Sequence, residues 1–233
     1  MKVAVDGPAG AGKSTLARQV AAELGFIYVD TGALYRAVAL HIIENEIGIS
    51  VPEAVLDELP RINIELKFIG GQQRVLINGR DVSDLIRTPG ISMGASDVSA
   101  IPGVRAFLLD LQRDIAAKNN VIMDGRDIGT VILPDAELKI FLTASAGERA
   151  MRRYNELRAK GGDDTLEEIT EDMKKRDFND TNRASAPLAA APDAIVIDST
   201  GMTADEVAER IIGLIQNNKR DADPFCSRVG KIK

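Results

Sequence analysis

Near the N-terminus, Gly7-Pro8-Ala9-Gly10-Ala11-Gly12-Lys13-Ser14 sets glycines, a lysine and a hydroxyl at the spacing of a phosphate-binding loop. Glycines let backbone N–H groups turn inward on phosphate oxygens, and the N-terminus of a following helix adds partial positive charge. In that arrangement Lys13 reaches the β and γ phosphates of ATP and Ser14 ligates Mg²⁺. The whole run Gly7, Pro8, Ala9, Gly10, Ala11, Gly12, Lys13, Ser14 and Thr15 is then the ATP-binding segment. A plain glycine-rich turn with a surface lysine is the alternative. A buried strand before the run and a helix after it speak against that.

Such a loop names a nucleotide user, not a reaction. Many motor and helicase types place a glutamate after the strand-ending aspartate, whereas Asp124 is followed by Gly125. The guanine-reading Asn-Lys-x-Asp and the Leu-Ser-Gly-Gly-Gln of transporter ATPases are absent from the sequence. A kinase for a small acceptor fits better. Its transition state spreads charge over oxygens, so catalysis is mostly positioning plus cationic stabilisation. The candidate cations are Lys13, Arg36, Arg126, Arg149, Arg152 and Arg153, the last three on one side of a helix. Without the phosphate loop, Glu148 and Glu156 would make that helix an ordinary solvated face. A phosphate monoester acceptor, with a second pKa near ~6, needs no general base. An alcohol acceptor would want one, and Asp30 or Asp127 could serve.

Elements must bring these residues together. Val3 to Asp6 reads as a buried strand and Ser14 to Leu24 as a helix, followed by a short strand Phe26 to Val29 and a helical pattern from Ala33 to Leu40. Strand-then-helix alternation points to a parallel sheet. The middle changes period: Ile62, Ile64, Leu66 and Phe68 alternate with polar residues, and Asn78-Gly79 is a hairpin signal. This is either a small antiparallel meander inserted into the chain or an edge extension of the main sheet. A helix from Gly103 to Ala117, strands at 121–124, 138–142 and 194–198, and a charged helix from about Gly147 to Lys160 follow. Thr203-Ala204-Asp205-Glu206 is a capping box opening the last helix, and residues from about Asn218 read as a polar tail.

Composition closes several routes. The 233 residues are 45% apolar and 27% charged, and no apolar run approaches the ~18 residues of a membrane span. His41 and Cys226 are the only residues of their kinds, too few for a histidine–cysteine metal site or a Cys-His nucleophile pair. A net charge of −6 argues against broad attraction to nucleic acid. An early Asp6 leaves no room for a secretory apolar region. The expectation is a cytoplasmic monomer with no membrane or nucleic-acid partner.

Five separated stretches carry a family resemblance: Gly7 to Thr15, Asp30 to Arg36, Asp124 to Thr130, Glu148 to Arg153, and Arg176-Asp177 through Asp180 with Asn182-Arg183. In this order they resemble the bacterial cytidylate kinases, over the chain to about Asn217. The resemblance implies an α/β fold: a P-loop parallel sheet flanked by helices, with a small antiparallel monophosphate-binding insert and a helical lid. It implies a core of residues 1–36 and 103–217, an insert at 37–102, a lid at about 147–183 formed by the charged helix and the loop to about Arg183, and a tail at 218–233. It further implies that Thr31, Arg36 and Arg126 hold the acceptor phosphate region. Ser96, Arg105 and Arg183 would read cytosine, with Asp127 near its exocyclic amine. Arg176 and Asp180 would meet the ribose. The implied reaction moves the γ-phosphoryl group of ATP to CMP or dCMP, with Mg²⁺, using Lys13, Arg126, Arg149, Arg152 and Arg153. Ion pairing of Asp127 with a neighbouring arginine, and simple solvation of Ser96, remain open. So do a kinase for UMP, AMP or dTMP, and a regulator that uses ATP as a switch.

Overall fold

A computed structural model describes residues 1–222 apart from Gly71 and Lys160. The order is β1 (Lys2–Asp6), α1 (Lys13–Leu24), β2 (Ile27–Asp30), α2 (Thr31–Glu44), α3 (Pro52–Glu58), β3 (Ile64–Ile69), β4 (Gln72–Ile77) and β5 (Arg80–Asp81). Then come α4 (Pro89–Ser99), α5 (Pro102–Lys118), β6 (Val121–Gly125), a π-helical turn (Ile128–Ile132), β7 (Leu138–Thr143), α6 (Ala146–Ala159), α7 (Leu166–Asn182), β8 (Ile195–Asp198) and α8 (Ala204–Ala222).

Five strands form one parallel sheet in the order β2-β6-β1-β7-β8. Val3, Val5, Ile122, Ile140 and Leu142 are buried, as strands covered on both faces must be. One face packs on α1 and α8 through Leu16, Val20, Ile211 and Ile215, while α5 and the π-helical turn lie against other residues of the sheet. Because β1 is central and parallel to both neighbours, its C-terminal end, that of β6 and the loop into α1 open at the same edge. Ligands of open α/β sheets bind outside that edge.

The strands β3-β4-β5 form a separate antiparallel sheet, which decides for a meander against an edge extension. Asn78 and Gly79 both take positive φ (49° and 81°), as the hairpin signal requires. Residues 37–102 nevertheless hold more helix than strand: α2, α3 and α4 pack with that sheet, sharing a core of Leu34, Ile42, Val55, Val75, Ile86 and Val98. Helices α3 and α4 are not legible in the alternation that marks the strands.

Two further expectations need correction. The stretch from 163 to about Arg183 is not a loop: α7 occupies most of it, opened by a capping box between Thr165 and Glu168. It packs on α6 through a small cluster of Ala150, Ile169 and Met173. So charged a helix shows little apolar stripe, which is why its pattern reads as loop. The polar tail is also helical at its start, since α8 continues to Ala222; residues 223–233, including Cys226, lie outside the described residues. The capping box at Thr203 and Glu206 forms as expected.

Candidate active site

The loop between β1 and α1 owes its shape to close backbone packing. Gly7 takes φ 146°, and a Cβ there would stand 2.0 Å from the carbonyl oxygen of Leu142 on β7. Any side chain would push the loop off the sheet. Lys13 is buried and its Nζ donates to the carbonyl of Pro8 at 2.7 Å. Burial, reinforced by Arg126 and Arg176, holds the Lys13 pKa well below the ordinary lysine value. The Ser14 hydroxyl donates to Asp124 Oδ2 at 2.8 Å, and the Tyr28 hydroxyl donates to Oδ1 at 2.9 Å. Burial, with Asp30 nearby, raises the pKa of Asp124.

A cleft of about 700 Å³ runs from this loop to the far wall. From the loop Ala9, Gly10, Gly12, Lys13, Ser14 and Thr15 reach it, whereas Gly7, Pro8 and Ala11 do not line it. The other wall gathers Thr31, Arg36, Ser96, Arg105, Arg126, Asp127, Arg176, Asp180 and Arg183. Helix α2 is fixed by Asp30, whose carboxylate caps the Ala33 N–H at 2.9 Å and accepts from Arg36 at 2.8 Å. Burial raises the Asp30 pKa, but Arg36 and Arg87 outweigh it and the net shift is downward. Gly125 has no room for a side chain: a Cβ would stand 2.8 Å from the Thr31 hydroxyl, which donates to the Asp124 carbonyl.

Cations crowd the middle of the cleft. Arg126 Nε donates to Asp180 Oδ2 at 2.7 Å. Burial would raise the Asp180 pKa, yet Arg126 and Arg176 hold it low. Arg176 is lowered to about 10 by burial and by Arg126 beside it. The Nε atoms of Arg36 and Arg176 and the hydroxyl of Ser96 are buried without partners. Buried polar atoms in this state call for a ligand or water. At the deep end Asp127 accepts from both Arg105 and Arg183, so the ion-pair reading of this residue is present in the fold. The Arg105 guanidinium lies 5.4 Å from the centre of the Tyr35 ring.

The charged helix divides. Arg152 and Arg153 line the cleft: Arg152 donates to Glu148 and to Ser199 after β8, and Arg153 to Glu156. Arg149 does not line it. Its guanidinium donates to the Ala9 carbonyl at 2.9 Å and to Asp177 at 2.7 Å, bracing the phosphate loop against α7.

Other residues at the cleft escaped the sequence reading. Arg87 and Tyr35 line it, and Gln73 on β4 clamps Asp30 by accepting from its N–H (2.9 Å) and donating to its carbonyl (3.2 Å). Tyr35 sits inside the quoted Asp30 to Arg36 motif, which was the available signal. Arg87 and Gln73 carry none, because only the folded insert brings them near β2.

A phosphate loop at the open edge of a parallel sheet, facing a second wall rich in cations, defines a nucleotide-using phosphotransferase. The chain belongs to the cytidylate kinase family, whose model matches residues 3–217. It is 50% identical over 214 residues to a cytidylate kinase of Caldicellulosiruptor saccharolyticus, covering 92% of this chain and 95% of that protein. A cytidylate kinase of Carboxydothermus hydrogenoformans is 50% identical over 217 residues, with 92% and 97% covered. Among solved structures, an uncharacterized protein from Eubacterium ventriosum shares the fold at TM-score 0.53 and 16% identity, over 93% of this chain and 98% of that one.

Proposed function

We propose that this enzyme transfers the γ-phosphoryl group of ATP to CMP or dCMP, giving ADP and the diphosphate. The observation that carries the reading is the crowding of cations around one cleft: Arg126, itself held by Asp180, lowers the pKa values of both Lys13 and Arg176, and the buried Nε atoms of Arg36 and Arg176 have no partner. Two polyanions meeting there would relieve that repulsion. Lys13 takes the β and γ oxygens of the donor, while Thr31, Arg36 and Arg126 hold the acceptor phosphate. Being an ionised monoester, that phosphate attacks without a base. Ser96, Arg105, Arg183 and Asp127 offer donors and a carboxylate acceptor suited to cytosine's carbonyl, ring nitrogen and amine. Arg176 and Asp180 stand for the sugar. Arg152 and Arg153 act from the lid formed by residues 147–183, excluding water during transfer. Arg149 acts through the loop it braces.

Ser14 and Asp124 present only oxygen donors, which suits Mg²⁺ bound through few protein groups together with phosphates. That ion would neutralise charge developing on the nucleotide phosphates. We assign residues 37–102 to acceptor binding and residues 1–36 with 103–217 to the core. No helix among the described residues is long and apolar enough to cross a membrane. Turnover of CMP, UMP, AMP and dTMP, measured side by side by coupled ADP release, tests the proposal. CMP should lead. ATP consumption that does not depend on any monophosphate would overturn it and leave the regulator.

A further inference from the structure

Asp6 ends β1 immediately before the phosphate loop, and its side chain turns away from that loop. Oδ1 accepts the N–H of Ile128 and Oδ2 the N–H of Gly129, both at 2.8 Å. These are the first N–H groups of the π-helical turn that follows Asp127. Helices usually satisfy such groups with the side chain of the residue standing just ahead. Here that residue is Asp127, and its side chain makes no cap. It points to Arg105 and Arg183 instead. The cap comes from another strand, and from a rigid one: Asp6 is in register with Gly125 on one side and Phe141 on the other.

We infer that Asp6 is a positioning residue for acceptor selection, capping the turn in place of Asp127 so that the Asp127 carboxylate is left to the cytosine end of the cleft. The inference rests on the reading of Asp127 given above. Both Asp6 oxygens are used as acceptors, which only the carboxylate allows. Burial raises its pKa to about 6, Asp127 adding to the rise while the two N–H groups and Lys13 oppose it, so the ionised form prevails at neutral pH. An asparagine would keep one acceptor and set its NH₂ against the remaining backbone N–H.

The test compares the full-length wild type with Asp6→Asn, Asp127→Asn and the double variant, reading KM for CMP, KM for ATP and the CMP-to-UMP efficiency ratio. Asp6→Asn should raise KM for CMP about tenfold while KM for ATP moves less than about twofold, the pattern of lost binding on one side only. If Asp6 acts through Asp127, the double variant should lose no more CMP preference than Asp127→Asn alone. Equal rises in both KM values, the mark of a merely structural residue, overturn the inference, as do penalties on CMP preference that multiply in the double variant. Thermal melts come first. Should Asp6→Asn not fold, Asp6→Glu keeps two acceptors and the charge but reaches too far, and the same KM split is required of it. A wild type that does not phosphorylate CMP overturns the functional reading itself. A wild type that prefers CMP, beside an Asp6→Asn that keeps that preference, overturns only the role of Asp6.

Discussion

The wall proposed for the donor comes from a single loop, Ala9 to Thr15 with Ala11 alone not lining the cleft, whereas the wall proposed for the acceptor collects Thr31 and Arg36 from α2, Ser96 from α4 and Arg105 from α5. The same wall adds Arg126 and Asp127 after β6, Arg176 and Asp180 from α7, and Arg183 just beyond it. The first wall is shaped by backbone packed on neighbouring strands, as the contact of Gly7 with Leu142 shows. The second is shaped by side chains holding one another. A lost side chain should therefore remove charge from the donor wall without changing its form. On the acceptor wall it should release a partner and redistribute the contacts.

The largest expected effect follows from that contrast. Lys13→Ala removes the cation proposed to meet the developing charge and should lower turnover by about 10²–10³-fold or more, the scale seen for single electrostatic groups. The melting temperature should hold, because among the described residues the lysine ammonium is hydrogen-bonded only to the Pro8 carbonyl and its burial disfavours its charge. A melt that collapses with activity would break the distinction between the walls. Asp127→Asn comes next. The carboxylate can accept from the amine of cytosine, while an amide can turn a donor toward the carbonyl of uracil, so the CMP-to-UMP ratio should fall about tenfold or more. Asp127 also holds Arg105 and Arg183, so both substrates should suffer to some degree. A ratio that stays fixed while both efficiencies fall would make Asp127 an architectural residue. Smaller still, replacing Arg152 and Arg153 together should lower turnover severalfold while ATP binding changes less, since a lid acts after binding. Equal losses would mean a static role for the pair.

The contrast also explains what was legible in the sequence. The phosphate loop has local spacing and local context, and Lys13, Ser14 and the strand before them could be read from the chain alone. Asp124 was legible as the end of an apolar run. The acceptor wall has no such spacing: Ser96, Arg105 and Arg183 are far apart and were assigned through the family resemblance. Arg149 shows the limit of periodicity, which put it on one side of α6 with Arg152 and Arg153 but could not show that it turns to the Ala9 carbonyl. Helix α7 was hidden because charge surrounds it, and Asp6 because its partners at 128 and 129 are remote in sequence. A strand-ending aspartate reads as an ordinary boundary until the turn it caps is in place.

The smallest expected effect is read in stability, and it sets the acceptor-side carboxylates against Asp6 by pH. Asp30 and Asp180 on the acceptor side have pKa values below the ordinary 3.8, burial being outweighed by Arg36 for the first and by Arg126 and Arg176 for the second. Their contribution is fully present above that value and is lost as pH falls through the lower folded values. Asp6, at the root of the donor loop, has the opposite sign: burial raises it from 3.8 to about 6. Between those two values the folded chain binds a proton that the unfolded chain does not, so the contribution of Asp6 to stability grows as pH falls. Asparagine does not titrate. Subtracting the melting temperature of Asp6→Asn from that of the wild type cancels the groups common to both, and the difference should increase by a few degrees from pH 7 to pH 5. Below about pH 3.8 both proteins should lose stability together as the acceptor-side ion pairs are protonated. A difference that is flat between pH 7 and pH 5 would mean that the two backbone N–H groups at Asp6 already offset its burial, leaving an ordinary carboxylate there.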